Sequence, residues 1–250
     1  MLSNPGGMPG GNRNAGVRGA VSEWIAFLDA GIVPEADWLE NLKKCAKTAG
    51  SKAVFGVCQF HADGAVERAV CALSYGYLAR QSVLPASLFH REVFERTGFF
   101  DERLRAAEDI LWIRQLGVAG VKRETCETAC VHYHEFPGNP FEAMRKWYAA
   151  EQNAVWAGVR PAQHFLYPVL ALAGIALVAL HPMAGFAAAV AYLVARGIAE
   201  PIRRSRDLFW WRGAGTAFLV AIAIALCLDL AKTTAILSAT FRGNNAGGVL

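Results

Sequence analysis

Apolar and polar positions in the first part of the chain follow two patterns. Short apolar runs that end in turn residues predict β-strands, and apolar residues at helical spacing predict α-helices. The predicted strands are 23–29, 53–60, 87–89 and 125–132, and the predicted helices are 14–20, 34–48, 65–80, 91–97, 107–116 and 141–156. Strands that alternate with helices predict an α/β domain, which we expect to extend to residue 158.

The pattern changes after Pro161, where three long apolar stretches follow one another. They are 165–180, 183–199 and 214–231. Each is close to the short end of the length that a helix needs to cross a bilayer. We therefore predict a membrane domain over 159–250 with about three transmembrane helices. A buried helical hairpin in a soluble core is the alternative.

Composition and charge agree with a membrane domain. Hydrophobic residues make up 54% of the 250 residues, and the mean hydropathy is +0.25, which is high for a soluble protein. The formal net charge of +4 is too small to indicate nucleic acid. Arginines gather between the second and third apolar stretches, as the positive-inside rule expects of a cytoplasmic loop. They are Arg196, Arg203, Arg204, Arg206 and Arg212.

Two smaller features add to the expected location. Asp229 lies near the end of the third stretch, and we expect it at the membrane interface. The six cysteines are scattered without a C-x-x-C pair, which indicates a reducing compartment.

Two acidic sites are candidates for chemistry. Asp29 ends the apolar run W-I-A-F-L-D, and Glu108-Asp109 opens the predicted helix E-D-I-L-W-I-R-Q-L-G. In open α/β sheets, ligands gather at the carboxyl ends of the strands. Simple capping of a helix N-terminus is an alternative reading of the Glu108-Asp109 pair.

Five motifs in order resemble those of one enzyme family. They are G-N-R-N-A-G, W-I-A-F-L-D-A-G-I-V-P-E-A-D-W-L, R-E-V-F-E-R-T-G-F-F-D-E, E-D-I-L-W-I-R-Q-L-G and H-Y-H. Between about residues 10 and 156 the chain resembles glycosyltransferase family 2, whose members are inverting enzymes of the GT-A type. The apolar stretches that follow resemble those of its bacterial membrane-attached members.

The resemblance implies a role for each matching residue. Asp29 matches the first acid of the D-x-D motif, which meets the sugar nucleotide and its metal, and Asp109 matches the acid that serves as general base. The implied donor-binding residues are Arg13, Asn14 and Asp29, the implied acceptor-binding residues are Asp101 and Glu108, and the implied metal ligands are Asp29, His132 and His134. A helix cap with a surface charge is the alternative for Arg13-Asn14, and two solvent-facing side chains are the alternative for the histidines.

The implied cofactor is a divalent cation, Mg²⁺ or Mn²⁺, beside the donor diphosphate. The implied partners are a nucleotide-sugar donor, a lipid-linked or polysaccharide acceptor, and the membrane. We expect a multi-pass protein of the bacterial inner membrane whose catalytic domain faces the cytoplasm.

The chain also departs from the family pattern. The second acid of D-x-D falls at Gly31, which removes one oxygen ligand and puts the metal in question. The family's first nucleotide-binding half is not found before Arg13, so we expect an N-terminally truncated enzyme with a partial GT-A domain. A catalytically inactive relative that scaffolds a glycan-assembly complex is the alternative. Cys126, Cys130, His132 and His134 could also form a zinc site, although their spacing is not a standard one.

Overall fold

A computed structural model describes residues 7–159 and 161–246. The chain forms two compact units. The first unit contains Met1–Gln59 and Arg80–His134, and the second contains Phe60–Ala79 and Glu135–Leu250. These units are defined by packing, and the domain limit near residue 158 stays a prediction.

A five-stranded sheet organises the first unit. Its strands are β1 (Trp24–Ala26), β2 (Ile32–Pro34), β3 (Ala53–Phe60), β4 (Arg80–His90) and β5 (Arg123–Tyr133), in the order β1-β4-β3-β5-β2. The pairs β1/β4, β3/β4 and β2/β5 are antiparallel. Strands β3 and β5 run in the same direction, because Ser51 hydrogen-bonds to Lys122 just before them and Gly56 faces Ala129 further along. The sheet is therefore mixed, and the α/β prediction is confirmed.

Helices pack on this sheet and form most of the second unit. The first unit contains α1 (Pro9–Gly19), α2 (Trp38–Ala49), α4 (Arg91–Thr97) and α5 (Glu108–Val118). The second contains α3 (Ala65–Ser74), α6 (Pro140–Trp156), α7 (Pro161–Leu180), α8 (Pro182–Val194), a π-helical turn (Ala195–Ala199), α9 (Glu200–Arg204) and α10 (Ala217–Ala246).

An aromatic cluster forms the core of the first unit. Phe89 of β4 makes edge contacts with Phe27 and Trp112, and Phe94 stacks on Trp112 at a ring distance of 5.0 Å. The Trp112 indole donates a hydrogen bond of 3.0 Å to the carbonyl of Gly98, so this buried polar group is satisfied. Trp112 therefore anchors α5 and fixes the position of Glu108 and Asp109 at its N-terminus.

Several predicted limits of elements are wrong. The predicted strand 23–29 contains only the three residues of β1, and a second short strand, β2, follows at the position where we placed the start of a helix. Helix α2 begins at Trp38, and α3 ends at Ser74 rather than at residue 80. Helix α5 ends past Gly117, and the left-handed residue after it is Gly120 with φ of 62°.

Strand β4 is much longer than the predicted 87–89 because a bulge interrupts its pattern. Phe55 pairs with Ser87 and Val57 pairs with Ser82, so two steps along β3 correspond to five along β4. The three extra residues lie within the stretch 83–86, which includes Pro85, and proline cannot donate a ladder hydrogen bond. This irregular stretch hides the strand from a search for alternating residues.

Gly56 is required in the middle of the sheet, and its replacement should destabilise the first unit. A Cβ at Gly56 would lie 2.4 Å from the Ala86 carbonyl oxygen and 2.6 Å from that of Ala129, so both neighbouring strands would have to move. We expect Gly56→Ala to lower the free energy of unfolding by about 3 kcal/mol, measured by thermal or denaturant unfolding. The matched control is Gly117→Ala in α5, where a Cβ meets nothing within 4 Å. That variant should gain about 0.5–1 kcal/mol, and equal losses in the two variants would contradict the prediction.

The second unit contains the apolar C-terminal helices. Within the described residues, two helices are long and apolar enough to cross a membrane, Pro182–Arg204 and Ala217–Phe241, and a shorter apolar helix covers Leu166–Leu180. The structure thus supports two candidate spans where we predicted three. Buried helices of soluble proteins reach the same length and composition, so membrane attachment is a proposal.

The arginine-rich segment and Asp229 differ from expectation. Arg196, Arg203 and Arg204 belong to the helical run that begins at Pro182, not to a loop. Asp229 lies well inside α10, not at its end. Its carboxylate accepts hydrogen bonds of 2.6 and 2.7 Å from the Arg196 guanidinium and one of 2.7 Å from the Tyr192 hydroxyl. Asp229 therefore forms a charge pair between two helices, and its position at a membrane interface stays a prediction.

Candidate active site

Asp29 lies in the turn between β1 and β2. Its backbone carbonyl accepts a hydrogen bond of 3.3 Å from the Ile32 amide, and Gly31 has φ of 80°. A residue with a side chain is strained in this left-handed conformation, which favours glycine at this position. The Asp29 side chain is 43% exposed, so its carboxylate lies at the surface.

Arg13 of α1 joins the two predicted acidic sites. Its Nη2 lies 3.0 and 3.1 Å from the two carboxylate oxygens of Asp29, and its Nη1 donates to the carboxylate of Glu108. The side chains of Arg13 and Glu108 are 14% and 5% exposed. Burial opposes the charge of Arg13, but Asp29 and Glu108 outweigh it and raise the pKa of the guanidinium. The side chain of Arg13 thus holds Glu108, which lies 95 positions away in sequence.

Glu108 and Asp109 begin α5, directly after a strained residue. Ala107 has φ of 71°, a left-handed conformation that residues other than glycine rarely adopt. Glu108 is buried, and burial, aided by the negative charge of Asp109, raises the pKa of its carboxyl group in spite of Arg13. Asp109 is half-buried and accepts a hydrogen bond of 2.8 Å from the Ile110 amide. Asp109 interacts electrostatically with Arg13, so Arg13, Asp29, Glu108 and Asp109 form one cluster.

The strain at Ala107 can be tested directly. We expect Ala107→Gly to raise the free energy of unfolding by about 0.5–1 kcal/mol, because relief of a left-handed side-chain clash exceeds the entropy cost of glycine. Ala119→Gly is the matched control, since Ala119 has φ of –75° at the other end of α5. That control should lose stability, and a loss in both variants would show that Ala107 is not strained. Thermal unfolding of the two variants provides the measurement.

The other predicted site residues have structural contacts. Asn14 is fully buried, where its side chain donates to the Phe100 carbonyl at 2.9 Å and accepts from the Phe100 amide at 3.0 Å. Asp101 is bound by the guanidinium of Arg103 at 2.8 and 3.0 Å, and this contact lowers the pKa of its carboxyl group. Asn14 therefore fastens α1 to the segment before α5. Donor binding by Asn14 and acceptor binding by Asp101 stay predictions.

The residues present do not fit a divalent cation at Asp29. Both carboxylate oxygens of Asp29 face Arg13, and Gly31 offers no side-chain ligand. The imidazole of His132 lies 3.2 Å from the carboxylate of Glu35 instead. Among the described residues, the one group of three or more His, Cys, Asp or Glu ligands is Glu35, Cys130 and His132. We therefore derive no step through a metal at Asp29.

The four-ligand zinc alternative also does not form. The Cys126 thiol lies against the Asn41 carbonyl and Thr128, apart from the group around His132. Glu35 was not singled out from the sequence, although the spacing of Cys130 and His132, two residues apart on one strand, is a signal that could have pointed to their shared face.

Comparisons with known proteins concern mainly the first half of the chain. Residues 2–124 match the family model described as glycosyl transferase family 2. The succinoglycan biosynthesis protein ExoO of Rhizobium meliloti is 30% identical over 159 residues, which cover 55% of this chain and 45% of ExoO. The chain thus spans less than half of the length of this relative.

Solved structures give a weaker likeness. The crystal structure of S. aureus TarS 1-349 in complex with UDP-GlcNAc has 13% identity and a TM-score of 0.40, over 97% of this chain and 74% of that one. Full TarS gives 14% identity and a TM-score of 0.39, over 92% of this chain and 43% of that one. Scores of this size carry no conclusion about function.

Residues 2–124, just under half of the chain, therefore resemble glycosyltransferase family 2 in sequence. The chain also resembles ExoO in sequence.

Proposed function

We propose that this chain is part of an inverting, membrane-attached glycosyltransferase that transfers a sugar from a nucleotide-diphosphate donor to a lipid-linked or polysaccharide acceptor. The observation that carries the proposal is the cluster in which Arg13 joins Asp29 to the start of α5, within a segment of glycosyltransferase family 2. Two carboxylates from distant parts of the chain thus meet at one cationic side chain, beside Asp109, which is the candidate base.

The proposed reaction is a single displacement. The acceptor hydroxyl oxygen attacks the anomeric carbon, the bond from that carbon to the diphosphate oxygen breaks, and its electron pair leaves with the nucleoside diphosphate. Asp109 accepts the hydroxyl proton, since its carboxylate is half-buried and lies at the site where α5 begins. Asp29 and Arg13 position the donor, and attack from the opposite face inverts the configuration.

The acceptor and the membrane are inferred from two features. ExoO is named for succinoglycan biosynthesis, which supports a polysaccharide or its lipid-linked precursor as the acceptor class. The two long apolar helices support attachment to the bacterial inner membrane, with the α/β unit at the cytoplasmic face.

A catalytically inactive scaffold protein is the second candidate. The occupation of both Asp29 oxygens by Arg13, together with Gly31, favours it, because a site without free metal ligands binds a diphosphate less well. The two candidates differ in whether turnover occurs.

The test is transfer by the complete protein, with any segment that the frame encodes before Met1, in membranes of a bacterial host. A panel of radiolabelled nucleotide-diphosphate sugars is supplied, and labelled lipid and polymer are measured. Label in either fraction that depends on the protein supports the transferase. Absence of transfer from every sugar of the panel to the host's lipids or polymers, with the folded protein present in those membranes, would support the scaffold instead.

A further inference from the structure

Glu35, Cys130 and His132 form a group outside the cluster around Arg13. Cys130 and His132 are two residues apart on β5, so their side chains lie on the same face of the sheet. Glu35 directly follows β2, and its amide donates a hydrogen bond of 3.1 Å to the Cys130 carbonyl. The ladder between the two strands thus brings a thiol, an imidazole and a carboxylate together.

The spacing of the three ligand atoms is close to that of a metal site. They all lie within 4.8 Å of one another, and His132 Nε2 is 3.2 Å from Glu35 Oε1. Tetrahedral zinc with bonds of about 2.0 Å to nitrogen and oxygen and about 2.3 Å to sulfur places neighbouring ligands about 3.4 Å apart. The imidazole and carboxylate already have this separation, and the thiol needs a shift of about 1 Å at most.

The three side chains differ in their exposure to solvent. Cys130 is 1% exposed, whereas the side chains of His132 and Glu35 are 25% and 37% exposed. An ion could therefore enter past the imidazole and the carboxylate and reach the thiol below. A thiolate and an imidazole favour zinc or another late transition metal over Mg²⁺ or Ca²⁺.

We propose that Glu35, Cys130 and His132 bind a zinc-class transition-metal ion, with a fourth position open to water. The ion would tie the edge strand β2 to β5. Because the turn that contains Asp29 directly precedes β2, the bound ion would also fix that turn. The proposal concerns a site that is separate from sugar transfer and does not depend on it.

Cobalt(II) provides the test, because a thiolate bound to it gives a charge-transfer absorption in the near ultraviolet. The purified, reduced full chain is titrated with CoCl₂ alone, and zinc is then added in competition. We expect the charge-transfer band to reach its maximum at one cobalt ion per chain and to be lost in Cys130→Ser. Cobalt binding should be at least tenfold weaker in His132→Gln and in Glu35→Gln. Cys126→Ser is the control on the same strand, and it should keep the band.

Three outcomes would overturn the proposal. They are absence of the band in the native chain, its survival in Cys130→Ser, and its loss in Cys126→Ser alone. If Cys130→Ser does not fold, the His132→Gln and Glu35→Gln variants at the open side decide, since unchanged cobalt affinity in both would exclude these ligands. A zinc-induced rise in the thermal midpoint of the native chain, absent from His132→Gln, is the second expected readout.

Discussion

Asp109→Asn is expected to reduce sugar transfer by the complete protein about 10²- to 10⁴-fold while donor affinity stays nearly unchanged. An amide has almost the same shape as a carboxylate but does not accept a proton at neutral pH. The backbone contact that holds Asp109, a hydrogen bond from the Ile110 amide to Oδ1, can also be made to the amide oxygen, so the local fold should survive. The measurement is transfer of labelled sugar in parallel with donor binding by calorimetry.

The control for this variant is Asp63→Asn, which changes a carboxylate of the exposed turn before α3. It should leave transfer and binding as they are. Full transfer by Asp109→Asn would remove Asp109 as the general base. Loss of donor binding together with transfer would instead assign it to the donor site.

Arg13→Gln is expected to lower the free energy of unfolding by about 3 kcal/mol at neutral pH, since it leaves the buried carboxylate of Glu108 without its cation. Asp29 is much more exposed and contributes less to this loss. The exposed pair of Arg18 and Glu102 is the control. Arg18→Gln should cost less than about 1 kcal/mol, because water screens that pair.

The loss in Arg13→Gln should depend on pH in a defined direction. Burial raises the pKa of Glu108 in the folded chain, so between its unfolded and folded pKa the folded state binds more protons than the unfolded state. Stability then decreases as the pH rises through this window. Arg13 lowers the pKa of Glu108, so its removal raises that pKa and extends the window to higher pH. The loss of stability in the variant should therefore shrink on acidification.

The double variant Arg13→Gln, Glu108→Gln isolates this cause. It contains neither charge and should recover most of the stability of the native chain at neutral pH, measured by denaturant unfolding of the native chain, Arg13→Gln and the double variant. A deficit that is independent of pH, or that persists in the double variant, would show that Arg13 acts through packing and not through charge.

The sequence predicts the elements whose apolar pattern is regular. Strand β3 and helix α4 agree with prediction at both ends, because uninterrupted burial and a clear glycine stop mark them. Strand β2 was missed because three residues that include Pro34 resemble a turn. The bulge around Pro85 shifts the register of β4. A shift in the middle of a strand interrupts the alternation of apolar and polar residues by which a strand is predicted from sequence.

The candidate site could be predicted only in part. Motif order selected Asp29, Glu108 and Asp109 as candidates, but sequence does not show that Arg13 contacts both acidic sites, since its partners lie 16 and 95 residues away. The group of Glu35, Cys130 and His132 was missed for a related reason. Glu35 contacts β5 only because β2 pairs with β5, and β2 was not predicted.

The pair between Arg196 and Asp229 has a consequence for how the C-terminal helices enter a bilayer. Either side chain alone near the centre of a span costs about 2.5–3.5 kcal/mol on insertion scales. Held against each other they carry no net charge, so the penalty falls when both helices insert together as a hairpin. Arg196 also pairs with Glu200 of its own helical run, whereas the ion pair of Asp229 is with Arg196 of the earlier helix. Under the proposed membrane attachment, the later helix should therefore insert beside the earlier one rather than alone.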